Sequence, residues 1–399
     1  MSTILESIEK ESKINQHAYT IAGQLAELFS ETAVERDKKG GTALHERNLI
    51  RKSGLLKMSV PKKYGGLEND WASILNIVRL FANVDGSIAH LFGYHHLIVA
   101  SIELYGTPEQ FARYSKKTAE NNFFWGNALN PLDENTRVQI KNEKYKINGR
   151  KGFSSGSVDS DMLLVSAYND QGKIVIGVTD SKRKGIKING DWNNFGQRQT
   201  DSGTVEFTNV ILEENEILKT PGPMGNLRST LRSSLAQLIL SHVYLGMAEG
   251  ALQEAKNYTS AQTRPWINSG VKTSQEDPYI LANYGEMWLS IQSAKLLLEQ
   301  AVESFQQSWD VGEGITEKQR GKTALHIAAA KVQAARTGLF VANKMFEVTG
   351  ARATSGAARL DRFWRNIRTH TLHDPVDYKI KELGDWALND KIPAPGFYS

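Results

Sequence analysis

No cysteine occurs among the 399 residues, and that absence removes disulfides, thiolate nucleophiles and zinc–thiolate sites together. Excess charge of one sign is also scarce. The net charge is +4 over the whole length, with no Lys/Arg block of the kind that follows a phosphate backbone, so nucleic acid is not an expected partner. No continuous apolar run reaches bilayer length. The first 24 residues alternate charge with aliphatics and have no apolar signal core, so they read as a helix and the cytoplasm is the expected location, with no membrane partner. Internal repeats and low-complexity tracts are absent too. What remains is ordinary for a globular protein, 40% hydrophobic and 23% charged. The length exceeds what one core normally serves, so two or three domains are expected.

The hydrophobic period changes twice along the chain. Ile14, Ala18, Ile21, Ala22, Leu25 and Leu28, and again Ile74, Ile77, Val78 and Phe81, keep a helical spacing. Between them Pro61 and Gly65-Gly66 demand a turn. Ser87 is a candidate N-cap for the helix that carries His90 and Tyr94, an i,i+4 pair sharing one face. From about Phe123 short β-type runs take over: 138–141, 145–147, 162–165, 173–178 and 204–207, separated by Asn, Gly and Asp turns. After Pro221-Gly222-Pro223 helical patterns resume, around Leu235 to Met247, Tyr284 to Phe305 and Thr323 to Val348. These patterns predict a mainly α chain with an N-terminal helical domain over 1–121, a small antiparallel β domain over 122–222 and a C-terminal four-helix bundle over 223–399.

Two kinds of stretch carry chemistry. Residues 364–375 hold His370 and His373, three apart and just before Pro375. On one helical face they can address one ligand together, or serve as a polar pair at a helix end. Within the β region, Trp125-Gly126-Asn127-Ala128 and Gly152-Phe153-Ser154-Ser155-Gly156-Ser157 let a backbone approach a flat ligand closely, and the same residues make ordinary turns. Spacing alone leaves both readings open.

The segment 195–210, FGQRQTDSGTVEFTNV, with the Pro61–Gly66 turn, resembles the acyl-CoA dehydrogenase superfamily. The stretches Thr32–Asp37, His90–His95, Gln199–Gly203, Arg264-Pro265-Trp266, 363–375 and Pro395-Gly396-Phe397 resemble one branch of it, the dibenzothiophene monooxygenases and related two-component flavin monooxygenases. The resemblance implies the three-part fold, a homotetramer, and a flavin between the β domain and the bundle. In most dehydrogenases of the family a glutamate in a Tyr-Glu-Gly-Thr segment removes the substrate proton; here that place reads Thr369-His370-Thr371-Leu372-His373-Asp374. Glu249, on an earlier helix, reads as a surface or packing residue.

What the resemblance implies is reduced FMN, supplied by a separate flavin reductase, that reacts with molecular oxygen to a C4a-hydroperoxide and oxygenates a small apolar substrate at sulfur or nitrogen; FAD is the alternative flavin. Ser155 and Asn127 would meet the flavin. His90, Tyr94 and His373 would line the far side, with His373 handling a proton. His370 would support that wall, and Arg264 and Arg352 would hold the phosphate. The loop after Asn127, Ala128-Leu129-Asn130-Pro131, departs from the polar loop of the dibenzothiophene enzymes, so the substrate is expected to differ. The rival functions are an FAD-dependent acyl-CoA dehydrogenase, a metal enzyme using His90, His370, His373 and Asp374, and a helical scaffold.

Overall fold

The computed structural model describes residues 2–399, with side chains from residue 16 onward; the predicted contribution of the Ile14 side chain lies outside the described residues. Five helices come first: α1 (Ser2–Lys39), α2 (Leu44–Ser53), α3 (Trp71–Ala82), α4 (Gly86–Tyr105) and α5 (Pro108–Asn121). Helix α4 is buried along nearly all its length, as expected of a helix that is apolar on every side. Its N-cap is Asp85, whose carboxylate accepts from the N–H groups of Ser87 and Ile88. Ser87, the predicted cap, lies inside the helix and accepts from the Gln199 N–H instead. A carboxylate wins the cap here because it also pairs with Arg36 of α1.

Seven strands follow: β1 (Trp125–Ala128), β2 (Thr136–Lys141), β3 (Lys144–Lys151), β4 (Met162–Tyr168), β5 (Ile174–Asp180), β6 (Ile186–Ile188) and β7 (Val205–Glu213). They form one sheet in the order β1-β4-β2-β3-β7-β6, with β5 on the other edge of β4. The sheet is mixed, and this corrects the antiparallel expectation. β1 runs parallel to β4, with Asn127 opposite Leu164, and β2 meets β4 in parallel at Arg137 and Tyr168. The parallel pairs arise because the chain returns through the long 152–161 loop instead of a tight hairpin. The stretch at 125–128 is therefore a strand in its own right, buried at all four positions.

The C-terminal part has three long helices, α6 (Leu231–Gln262), α7 (Pro278–Val311) and α8 (Glu317–Thr349), and two short ones, α9 (Asp361–His370) and α10 (Val376–Asn389). The predicted bundle thus has three long members, its remaining positions filled by the short pair. Residues 228–262 are long and apolar enough to cross a membrane, against the sequence expectation, but 89% of the apolar window is buried inside the protein. That segment is the central core helix. α4 approaches it so closely that a Cβ on Gly93 would stand 2.5 Å from Ile239 Cγ2, so only glycine fits there. One continuous apolar core joins α3, α4, α6 and α8, and a second lies within the sheet around Val138, Leu163, Phe207 and Leu212.

Candidate active site

Three elements converge at the bundle side. His90 on α4 lies with its ring 4.0 Å from Tyr94 and 4.6 Å from the His370 ring at the end of α9. The Tyr244 hydroxyl of α6 donates to the His370 carbonyl at 2.9 Å, which anchors the helix end. Both imidazoles are buried, and the Nδ1 of each has no hydrogen-bond partner. Burial, with a smaller push from His373, holds the His90 pKa down at about 3. His370 is lowered well below its ordinary value by burial first, then by His90. Both are neutral at working pH. Unpaired buried polar atoms are costly and call for a partner.

His373 has a different setting. Helix α9 ends at His370, three residues earlier than a helix continuing to Pro375, so His370 and His373 do not share a helical face as expected. The chain turns, with the His373 N–H donating to the His370 carbonyl at 3.1 Å. His373 stays half exposed, its Nδ1 lies 2.9 Å from Asp374 Oδ1, and its ring is 5.9 Å from that of Tyr398. Burial pushes the Asp374 carboxyl up, but His373 and Lys331 together outweigh it and hold the group well below the usual carboxylate range. Tyr94 is pushed up by burial and keeps its proton.

The sheet side supplies the other half. Ser155 is buried in the turn after β3, its Oγ 2.8 Å from Ser202 Oγ. The Asn127 N–H donates to the Ser155 carbonyl at 2.9 Å. Asn127 Oδ1 accepts from the Leu129 N–H at 3.3 Å, which assigns the other side-chain atom as the NH2 donor. Gly156 sits against α4: with φ at +70°, a Cβ there would lie 3.1 Å from Leu91, the neighbour of His90. The 196–203 loop is stitched across the junction. The Gln197 N–H donates to Asn366 Oδ1 on α9 at 2.6 Å, and the Gln199 N–H donates to Ser87 on α4 at 3.3 Å. His90, Tyr94 and His370 thus form one cluster and Asn127 and Ser155 another, and the 196–203 loop bonds both to the helices that carry the first and to the turn that carries Ser155.

Arg264 and Arg352 do not join it. Both are exposed, and among the described residues neither side chain makes a hydrogen bond or ion pair. They stand on the loops after α6 and α8, which Thr263 ties together by donating to the Thr349 carbonyl at 3.3 Å. Phe124 and Trp125 are core residues, whereas Trp192 packs edge-on to Phe153 at 6.0 Å. Glu249 lies 3.6 Å from Arg79, which makes it a structural partner. Among the described residues no group of three or more His, Asp or Glu side chains is arranged to hold a metal ion.

Sequence reasoning passed over Tyr244 and Lys331. Lys331 carried a signal: it occupies a helical stripe with Ala324, Ile327, Ala328, Ala334 and Ala335, and a lone charge in an apolar stripe needs a buried partner.

Comparison with known proteins gives a consistent picture. The acyl-CoA dehydrogenase N-terminal, middle and C-terminal domain models match residues 20–122, 126–210 and 238–378. A Pseudomonas putida relative named a probable FMNH2-dependent monooxygenase, SfnC, is 49% identical over 96% of this chain and 97% of its own. The dibenzothiophene monooxygenase of Mycolicibacterium goodii is 43% identical over 95% of each chain. Among solved structures, the methanesulfinate monooxygenase MsuC of Pseudomonas fluorescens superposes with a TM-score of 0.94 at 50% identity, covering 95% of this chain and 99% of that one. FMN-bound TdsC from Paenibacillus sp. A11-2 gives 0.91 at 40%, covering 96% and 100%. With three domain models in register and relatives matched over nearly the whole of both chains, the chain belongs to the acyl-CoA dehydrogenase family, among its flavin-dependent monooxygenases.

Proposed function

We propose that this enzyme uses reduced FMN, delivered by a separate flavin reductase, to oxygenate a small organosulfur compound at sulfur. The observation that supports this reading is the pair of neutral buried imidazoles, His90 and His370, each with an Nδ1 that has no hydrogen-bond partner among the described residues. Such a site is dry, holds no fixed charge on its imidazole wall and has polar atoms waiting for a partner, which suits a flat polar ring. When bound, the reduced flavin supplies two electrons to dioxygen, so that one oxygen atom reaches the substrate and the other leaves as water.

The chain's own groups divide the work. Asn127 donates from its side-chain amide, and Ser155 meets the ring edge through its hydroxyl. His90, Tyr94 and His370 keep water out. His373, oriented by Asp374, holds or passes a proton at Nε2. Arg264 and Arg352, on adjacent loops and with side chains unpaired among the described residues, suit the phosphate. A small substrate such as a sulfinate fits better than a large aromatic sulfide: identity to the methanesulfinate enzyme is 50%, against 43% to a dibenzothiophene enzyme, and the loop after Asn127 departs from the latter. An acyl-CoA dehydrogenase needs a carboxylate base, and neither His370 nor the Arg79-bound Glu249 supplies one.

We further infer a cytoplasmic homotetramer, divided at about residues 121 and 222. Helix α7 supports assembly, because Leu281, Trp288, Leu289 and Leu296 leave an apolar stripe exposed; light scattering of the purified protein tests it. For the reaction, protein given photoreduced FMN, air enriched in labelled oxygen and either methanesulfinate or dibenzothiophene should form product carrying one labelled atom. Product no faster than with free reduced FMN would sink the proposal.

A further inference from the structure

Helix α8 carries a charge that the proposed reaction does not use. Lys331 is 1% exposed, and an ammonium held in a low-dielectric interior costs several kcal/mol unless it is paired. Its Nζ donates to two oxygens, Gln237 Oε1 of α6 and Asp374 Oδ2. The other oxygen of that carboxylate faces His373 Nδ1 at 2.9 Å. The cavity that Lys331 helps to line measures about 10 Å³, room for about one water and too small for a substrate. The influence of Lys331 passes through Asp374.

We propose that Lys331 is a positioning residue for His373, acting through Asp374 to fix which ring nitrogen carries the proton. An ionised carboxylate only accepts hydrogen bonds. Asp374 therefore requires a hydrogen on Nδ1, which leaves Nε2 as the working nitrogen of the neutral ring. A carboxylate held by the histidine alone could rotate, because Asp374 stands in the turn between α9 and Pro375. Lys331 prevents this by holding the second oxygen. Gln237 fixes the lysine from α6, so two bundle helices set the direction of one imidazole. Lys379 and Glu382 of α10 also act on Lys331 electrostatically, and they bond to each other at 2.9 Å. Asp374 is thus the anion that Lys331 contacts directly.

The inference rests on reading His373 as the proton-handling group. Its deciding readout, the His373 tautomer, needs neither flavin nor substrate, so its failure is distinguishable from failure of that reading. Full-length protein labelled with 15N-histidine, with the His373 signal assigned by His373→Gln, should show His373 as a single Nδ1–H tautomer. In Lys331→Met the signal should become a mixture of tautomers. With reduced FMN and methanesulfinate, kcat should fall about tenfold, a fraction of the roughly 10²–10⁴-fold that a positioned acid or base contributes, with KM nearly unchanged. Should Lys331→Met fail to fold, Lys331→Gln, which keeps a donor for Asp374, takes its place and is expected to show a smaller tautomer mixture. A native His373 protonated on Nε2 overturns the proposal, and so does a folded Lys331 variant with an unaltered tautomer.

Discussion

On the bundle side of the site Lys331, Asp374 and His373 form a line of ionisable groups running from the core to the half-exposed ring. On the sheet side Ser155, Ser202 and Thr200 pass hydrogen bonds among neutral hydroxyls. The first arrangement is costly to build and rigid once built, because each buried charge has one acceptable partner geometry. The second costs little, and its hydroxyls can rotate. Changes on the bundle side should therefore be severe and change the proton chemistry. Changes on the sheet side should be mild and alter ligand preference.

The largest effect is expected from His373→Ala, which should lower kcat for sulfur oxygenation by about 10²–10⁴-fold while the protein still binds FMN. Ser155→Ala should lose less. Steady-state kinetics on both variants checks the ordering, and an equal loss would erase the contrast between the two sides. Next comes Asp374→Asn. It leaves Lys331 buried without an anion, and removing one partner of a buried pair costs about 3–5 kcal/mol. Thr200→Val, which breaks two neutral hydrogen bonds, should cost only about 2 kcal/mol. Urea unfolding of the two variants reads the difference directly.

The same contrast explains what could be read from sequence. The helical stripes, the β runs and the motifs at 90–95 and 195–203 showed the three-part fold, because period and turn chemistry are local. The mixed sheet was not legible: strand direction depends on the path of the 152–161 loop, and no residue pattern in β1 or β2 encodes it. On the sheet side the Ser155 turn stood out through its Gly and Ser content. On the bundle side His373 and Asp374 were visible, but Lys331, the partner of Asp374, lies 43 positions before it on another helix. Its ion pair exists only after α8 and α9 have packed. Ser87 was chosen over Asp85 as cap because the stabilising partner, Arg36, is on α1.

The buried imidazoles give a third test. Burial holds His90 and His242 at about 3 and His95 at about 4, and lowers His96 and His370 further below their ordinary value. The unfolded chain binds protons on these rings near pH 6.5, whereas the folded chain does not. Stability is therefore fully present above pH 6.5 and is lost as pH falls through the window from 6.5 toward 4, each ring contributing up to about 1.4 kcal/mol per pH unit. Urea midpoints measured from pH 8 to 5 should fall steeply, and His90→Phe should reduce the slope by about one proton. A flat profile would mean that these rings accept protons without unfolding, and the dry wall would not be dry.

The smallest effect tests the sheet side. Thr200 Oγ1 donates to the Gln197 carbonyl at 3.0 Å, and Ser202 Oγ donates to Thr200 Oγ1 at 2.8 Å. The single hydrogen of Ser202 is thereby spent, so the 2.8 Å contact between Ser155 and Ser202 has Ser155 as donor. The Ser155 hydrogen points away from the site and its lone pairs remain available there, as an acceptor. Reduced flavin carries an N–H at N5 where oxidised flavin carries a bare nitrogen, so an acceptor favours the reduced form. Ser202→Ala frees Ser155 to donate and should narrow the preference for reduced over oxidised FMN by up to about tenfold, the worth of one neutral hydrogen bond. Anaerobic fluorescence titrations with each form measure the ratio. An unchanged ratio would place Ser155 away from the redox-sensitive edge of the ring, and the sheet side would then serve only to shape the pocket.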